Sequence, residues 1–90
     1  MKKYIIERDI PSIGSFDADT LKGASSKSCD ALNKIGPQVQ WVESYVTDDK
    51  TFCVYLAEDE RYIKQHAEIS GFPANKITEV LNMISPITAG

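Results

Sequence analysis

Val39-Gln40-Trp41-Val42-Glu43-Ser44-Tyr45-Val46-Thr47, then Asp48-Asp49-Lys50, then Thr51-Phe52-Cys53-Val54-Tyr55-Leu56-Ala57 is the stretch that decides the fold. Both runs are rich in aromatic and β-branched residues, which favour strands. Asp48-Asp49 between them is the natural tight link of a hairpin. Working outward, Gly36-Pro37 just before the hairpin is a strong helix stop. The helix it ends opens at Asp17 and runs to about Ile35, with Leu21, Ala24, Ser28, Leu32 and Ile35 on one face by i, i+3, i+4 spacing. Lys3 to Asp9 reads as a strand before it, closed by Pro11 and Gly14. Beyond the hairpin, Glu58-Asp59-Glu60 places acidic groups where a helix dipole favours them. That second helix extends to about Ser70, with Gly71 as its cap and Phe72-Pro73 beyond. Lys76 to Ile84 reads as a last strand before Pro86.

The order strand, helix, strand, strand, helix, strand is the split βαβ arrangement. Right-handed crossovers put both helices on one face of an antiparallel four-stranded sheet, in the spatial order 4-1-3-2. The expected architecture is therefore α+β and ferredoxin-like, a single domain over residues 1–90.

Bulk properties narrow the function. The chain has 90 residues, 42% hydrophobic and 26% charged, which suits a soluble globular domain. A domain this small buries a modest share of its surface, so a homo-oligomer is a reasonable expectation. The net charge is −3 and the lysines never cluster. Nucleic acid needs clustered Lys and Arg, so no nucleic-acid partner is expected. No apolar run is long enough to span a bilayer, and Glu7, Arg8 and Asp9 end the apolar start too early for a secretory signal. A cytoplasmic location is expected. Cys29 and Cys53 lack CxxC spacing and are too few for a disulfide framework.

Strand periodicity sorts side chains onto two faces. In the third strand, Phe52, Val54 and Leu56 form the apolar set expected to face the helices, leaving Thr51, Cys53 and Tyr55 on the open face. In the second strand the valines go to the helix side and Trp41, Glu43 and Tyr45 to the open side. In the first strand, periodicity alone does not decide between Ile5/Glu7 and Tyr4/Ile6; burial favours Glu7 on the open side, and Glu79 has the same ambiguity. An open face carrying Trp41, Tyr45, Tyr55 and Cys53 around carboxylates should not stay bare. It suits a dimer interface or the wall of a cavity between two sheets.

His66, the single histidine, falls amid Tyr62, Ile63, Ala67, Ile69 and Ser70 on the second helix, so it points inward. A buried imidazole needs hydrogen-bond partners, and it is also a common metal ligand. Cys29, at the edge of the first helix's apolar face, could approach His66, but a free cysteine is more often a small core residue. Cys53 is expected on the opposite sheet face from His66, which argues against a compact site within one subunit. No nucleophile elbow, P-loop, GxGxxG or HExxH motif is present. Glu7 and Glu43 could do acid–base work, although such carboxylates are more often paired or solvated.

The segments Tyr4-Ile5-Ile6-Glu7-Arg8-Asp9-Ile10-Pro11, Ser28-Cys29, Gln40 to Val46, Cys53-Val54-Tyr55 and His66-Ala67 through Gly71-Phe72-Pro73-Ala74 resemble the small bacterial nickel-responsive, nickel-binding proteins. The resemblance covers nearly the whole chain, and Trp-x-x-Ser-Tyr-Val and Gly-Phe-Pro-Ala are its most specific parts. It implies a ferredoxin-like fold, a homodimer related to dimeric α/β barrels, and nickel binding in at least one member, so that nickel or a similar divalent ion is the expected ligand here. Nickel accepts imidazole, carboxylate and thiolate, and the candidate ligands are His66, Glu7, Glu43, Cys53 and Glu79. The leading expectation is a non-enzymatic, metal-binding homodimer. The alternatives are a small-molecule binder or enzyme whose cavity is lined by Trp41, Tyr45 and Tyr55, and a structural dimer without ligand.

Overall fold

The structure, a computed structural model, describes residues 1–90. Strand β1 (Lys2–Asp9) leads through a short 3-10 turn at Ile13–Ser15 to helix α1 (Ala18–Ile35). The hairpin β2 (Val39–Val46) and β3 (Lys50–Ala57) follows, then helix α2 (Glu60–Ser70) and strand β4 (Lys76–Val80). A 3-10 turn at Pro86–Ala89 ends the chain.

Local chemistry sets the boundaries. The Asp17 carboxylate accepts the Thr20 N–H at 2.8 Å and caps α1. Asp59 does the same for α2 through the Arg61 N–H. Gly71 ends α2 at φ 78°, in the left-handed region that glycine enters without steric cost. The β2–β3 turn is closed by Thr47 N–H to the Lys50 carbonyl at 2.9 Å. Gly14 packs on that turn, its N–H donating to the Asp48 carbonyl at 2.9 Å. A Cβ there would lie 2.8 Å from Asp48 Cα.

The sheet order is β2-β3-β1-β4 with every neighbouring pair antiparallel. Element order and sheet order match the ferredoxin-like expectation. The last strand is shorter than expected. Its pairing with β1 ends at Val80 opposite Lys3, near the start of β1, so residues 81–84 have no ladder to join. Leu81, Met83, Ile84 and Ile87 are all strongly exposed.

The assignment of sheet faces from apolar content is overturned. Thr51, Cys53, Tyr55 and Ala57 are buried beneath the helices, and Phe52, Val54 and Leu56 lie half-buried on the open face. β3 is a central strand with apolar residues on both faces, so alternation alone could not choose the covered one. In β2 a bulge intervenes: Trp41 pairs with Tyr55 and Glu43 with Val54. The extra residue, Val42, shifts the alternation. Trp41 and Ser44 therefore share the helix side, and Glu43 and Tyr45 the open side. The core joins Tyr4, Ile6, Val39, Cys53, Tyr55, Ala57 and Ile63.

Candidate functional site

Alternation along β1 carries Tyr4, Ile6 and then Arg8 under the helices. Arg8 is only 3% exposed, yet no ion pair of the chain includes it. Its Nη1 donates to the Pro73 carbonyl at 2.9 Å and to that of Phe72 at 3.5 Å. Its Nη2 faces His66 Nδ1 at 3.5 Å. Gly71 turns the chain after α2 so that these carbonyls point inward. A buried charge is ordinarily paired; this one is held by neutral acceptors alone.

His66 is fully buried, on the α2 face that meets the sheet. Its Nε2 lies 3.0 Å from Ser28 Oγ on α1. Arginine can only donate, so Nδ1 must accept and the neutral ring carries its proton on Nε2. Nε2–H then donates to Ser28. This arrangement excludes His66 as a base toward Ser28, whose own O–H remains free to donate. Burial, reinforced by the Arg8 charge, lowers the imidazole pKa to about 4.

Tyr55 completes the cluster. Its hydroxyl is 3.4 Å from Ser28 Oγ, its ring centroid 5.3 Å from that of His66, and the Arg8 guanidinium lies 5.8 Å from the ring centre. Burial raises the Tyr55 pKa, so the phenol stays protonated. Cys53 pairs with the Thr51 hydroxyl at 3.4 Å, and Trp41 Nε1–H donates to Ser44 Oγ at 2.9 Å. Arg8, Ser28, Trp41, Ser44, Cys53 and Tyr55 wall a cavity of about 90 Å³ between the sheet and α1, with mostly apolar side chains around the rest.

The sequence candidates are distributed differently from expectation. His66 points inward as expected, but Cys53 lies on the same side of the sheet, not the opposite one. Tyr55 is buried and Trp41 half-buried on the wall of this cavity, while Tyr45 is exposed on the open face and donates its hydroxyl to Glu43. Cys29 is exposed rather than beside His66. Glu7 lies on the open face near Lys50 (3.3 Å) and Lys76 (3.9 Å). Glu79 pairs with Lys2 at 3.9 Å on the edge strand. No three His, Cys, Asp or Glu residues come together in a group able to hold a metal ion. The one imidazole has both nitrogens engaged and stands beside a cation. The residues of one subunit do not fit a nickel ion.

Sequence reasoning missed Arg8 and the partnership of Ser28 with His66. The signal for Arg8 was its phase with Tyr4 and Ile6 on β1, two and four residues away. An arginine is not ordinarily assigned to a core, so that phase went unused.

No helix is long and apolar enough to cross a membrane. A search of the curated proteins returns no match. Among solved structures, the crystal structure of SCO4226 from Streptomyces coelicolor A3(2) is similar, with a TM-score of 0.75 and 15% sequence identity over 91% of this chain and 99% of that one. At that identity the likeness supports the ferredoxin-like fold and nothing finer. The family model described as nickel responsive protein SCO4226-like matches residues 4–80. The match spans most of the chain, and the protein belongs to this nickel-responsive family.

Proposed function

We propose that the protein is a non-enzymatic, cytoplasmic binding protein of the nickel-responsive family, and that it works as a homodimer holding a small ligand in the cavity between sheet and helices. The observation that carries the ligand site is the buried Arg8 guanidinium on the cavity wall, which lacks a carboxylate partner. Keeping a buried charge without a counter-ion costs roughly several kcal/mol, which an anionic group bound in the cavity would offset. The Nε2–H tautomer of His66 leaves Ser28 without a base, which supports binding over acyl chemistry. A second copy is supported by two apolar surfaces: the open face with Ile5, Phe52, Val54 and Leu56, and the exposed tail with Leu81, Met83, Ile84 and Ile87. Both cysteines are unpaired, in keeping with a reducing compartment.

A second reading is direct nickel binding by the dimer, favoured by the family match. It draws on Glu7 and Glu43, which share the open face and would meet their counterparts across two such faces. Elemental analysis of purified protein together with nickel calorimetry separates the readings. The cavity reading expects ligand-induced NMR shifts at Ser28, Trp41 and Tyr55 and no stoichiometric nickel. Stoichiometric nickel uptake that is lost in Glu7→Gln/Glu43→Gln, with those three signals unmoved, replaces it with the second.

A further inference from the structure

We infer that the cavity binds a small organic carboxylate, its head on Arg8 and its alkyl part against the apolar wall. This rests on the reading of the cavity as a ligand site and adds the chemical class. Three features converge on it.

The first is charge. The cavity wall contains Arg8 and no Asp or Glu. The guanidinium is a planar fork suited to a carboxylate, and its contacts within the chain are to neutral acceptors. A cation is repelled there. A phosphate dianion would bring a second charge with no second cation to meet it.

The second is donor direction. Because Arg8 fixes the His66 tautomer, Nε2–H occupies the Ser28 oxygen as acceptor and the Ser28 O–H stays a donor. The Tyr55 phenol lies 3.4 Å from Ser28 Oγ, and one of the two hydroxyl protons closes that contact, so the pair keeps one O–H to donate. The polar wall near Arg8 is thus set to donate, and a carboxylate accepts only.

The third is shape. Ile10, Ile13, Leu21 and Val46 supply apolar wall. The volume, about 90 Å³, is below the roughly 150 Å³ of a cavity that takes benzene. It accommodates a carboxylate with a short chain, or the acid end of a longer molecule whose remainder leaves through the open side.

The test titrates the full chain, labelled for NMR, with sodium acetate, propionate and butyrate, and with propionamide, sodium chloride and inorganic phosphate. Saturable shifts centred on Ser28, Trp41 and Tyr55 with propionate or butyrate are the expected result. Propionamide, equal in shape but neutral, should bind about tenfold more weakly or worse. Arg8→Gln should abolish the preference for the acid. If Arg8→Gln does not fold, Ala24→Leu, which fills the cavity from α1 and leaves Arg8 unsubstituted, should abolish binding while the fold is retained. Equal binding of propionamide and propionate overturns the carboxylate assignment and leaves the cavity reading standing, as does tighter binding of phosphate. Absence of any saturable shift at the cavity residues, or carboxylate binding unchanged in Ala24→Leu, overturns both.

Discussion

The two faces of one sheet each depart in part from the usual order. Under the helices, Arg8 and Thr51 of the sheet are buried with Ser28 of α1 and His66 and Ser70 of α2 beside an apolar core, while the face without helices carries Ile5, Phe52, Val54 and Leu56 beside Glu7 and Glu43. A sheet covered on one side ordinarily puts its apolar residues toward the cover and its polar ones toward water. Here the covered side spends interior volume on a hydrogen-bonded cluster and a cavity, and the uncovered side is apolar enough to call for a second surface. On the proposed function, the polarity inside is the place for a ligand and the apolar residues outside are the place for a second copy of the chain.

The contrast is broken most strongly on adjacent residues of β1. Ile6 is fully buried and Ile5 is 36% exposed. Ile6→Ala should cost about 2–5 kcal/mol in urea unfolding, and Ile5→Ala about 1 kcal/mol or less at low protein concentration. If a second copy covers the open face, the Ile5→Ala cost grows with protein concentration; a cost independent of concentration counts against the dimer.

The next effect belongs to the inner cluster. His66 stays neutral in the native state down to about pH 4, whereas in the unfolded chain it takes up a proton near 6.5. The unfolded state therefore binds more protons across that window, and stability falls as pH drops from 6.5 to 4. The loss is roughly 3 kcal/mol in total. Comparing His66→Gln with the native chain isolates it: the variant should lack this part of the slope, and an unchanged slope would remove His66 from the account.

Gly14→Ala probes the end of the sheet where the 3-10 turn meets the hairpin. The added methyl meets backbone at 2.8 Å, which should cost about 1–3 kcal/mol by thermal unfolding. Gly23→Ala, where nothing lies within 4 Å, should be neutral to slightly stabilising. The smallest effect is on the open face. Glu7 lies near Lys50 and Lys76, all partly exposed, so Glu7→Gln should change stability by less than about 1 kcal/mol. A larger effect would mean that the open face is desolvated in solution.

Much of the fold was legible in single residues. Asp17, Gly36, Gly71 and the Asp48-Asp49 turn act locally, through caps and dihedrals that depend on near neighbours, and each ends or begins an element where the sequence indicates. The inward direction of His66 was legible too, because its helix has one apolar side. The site itself was not. Cys53 and Tyr55 were placed on the wrong face because β3 is apolar on both, and Trp41 because a bulge at Val42 resets the alternation.

The sequence by itself determined the element order, the helix limits and the strand pairing, since these follow from periodicity, capping and turn chemistry within a few residues. Only the tertiary structure decided which face of the sheet lies under the helices. That choice depends on how α1 and α2 pack across strands far apart in the chain, and it sets Arg8, Ser28, Tyr55 and His66 into contact. Their sequence separations, such as 58 residues between Arg8 and His66, put that contact beyond any local pattern.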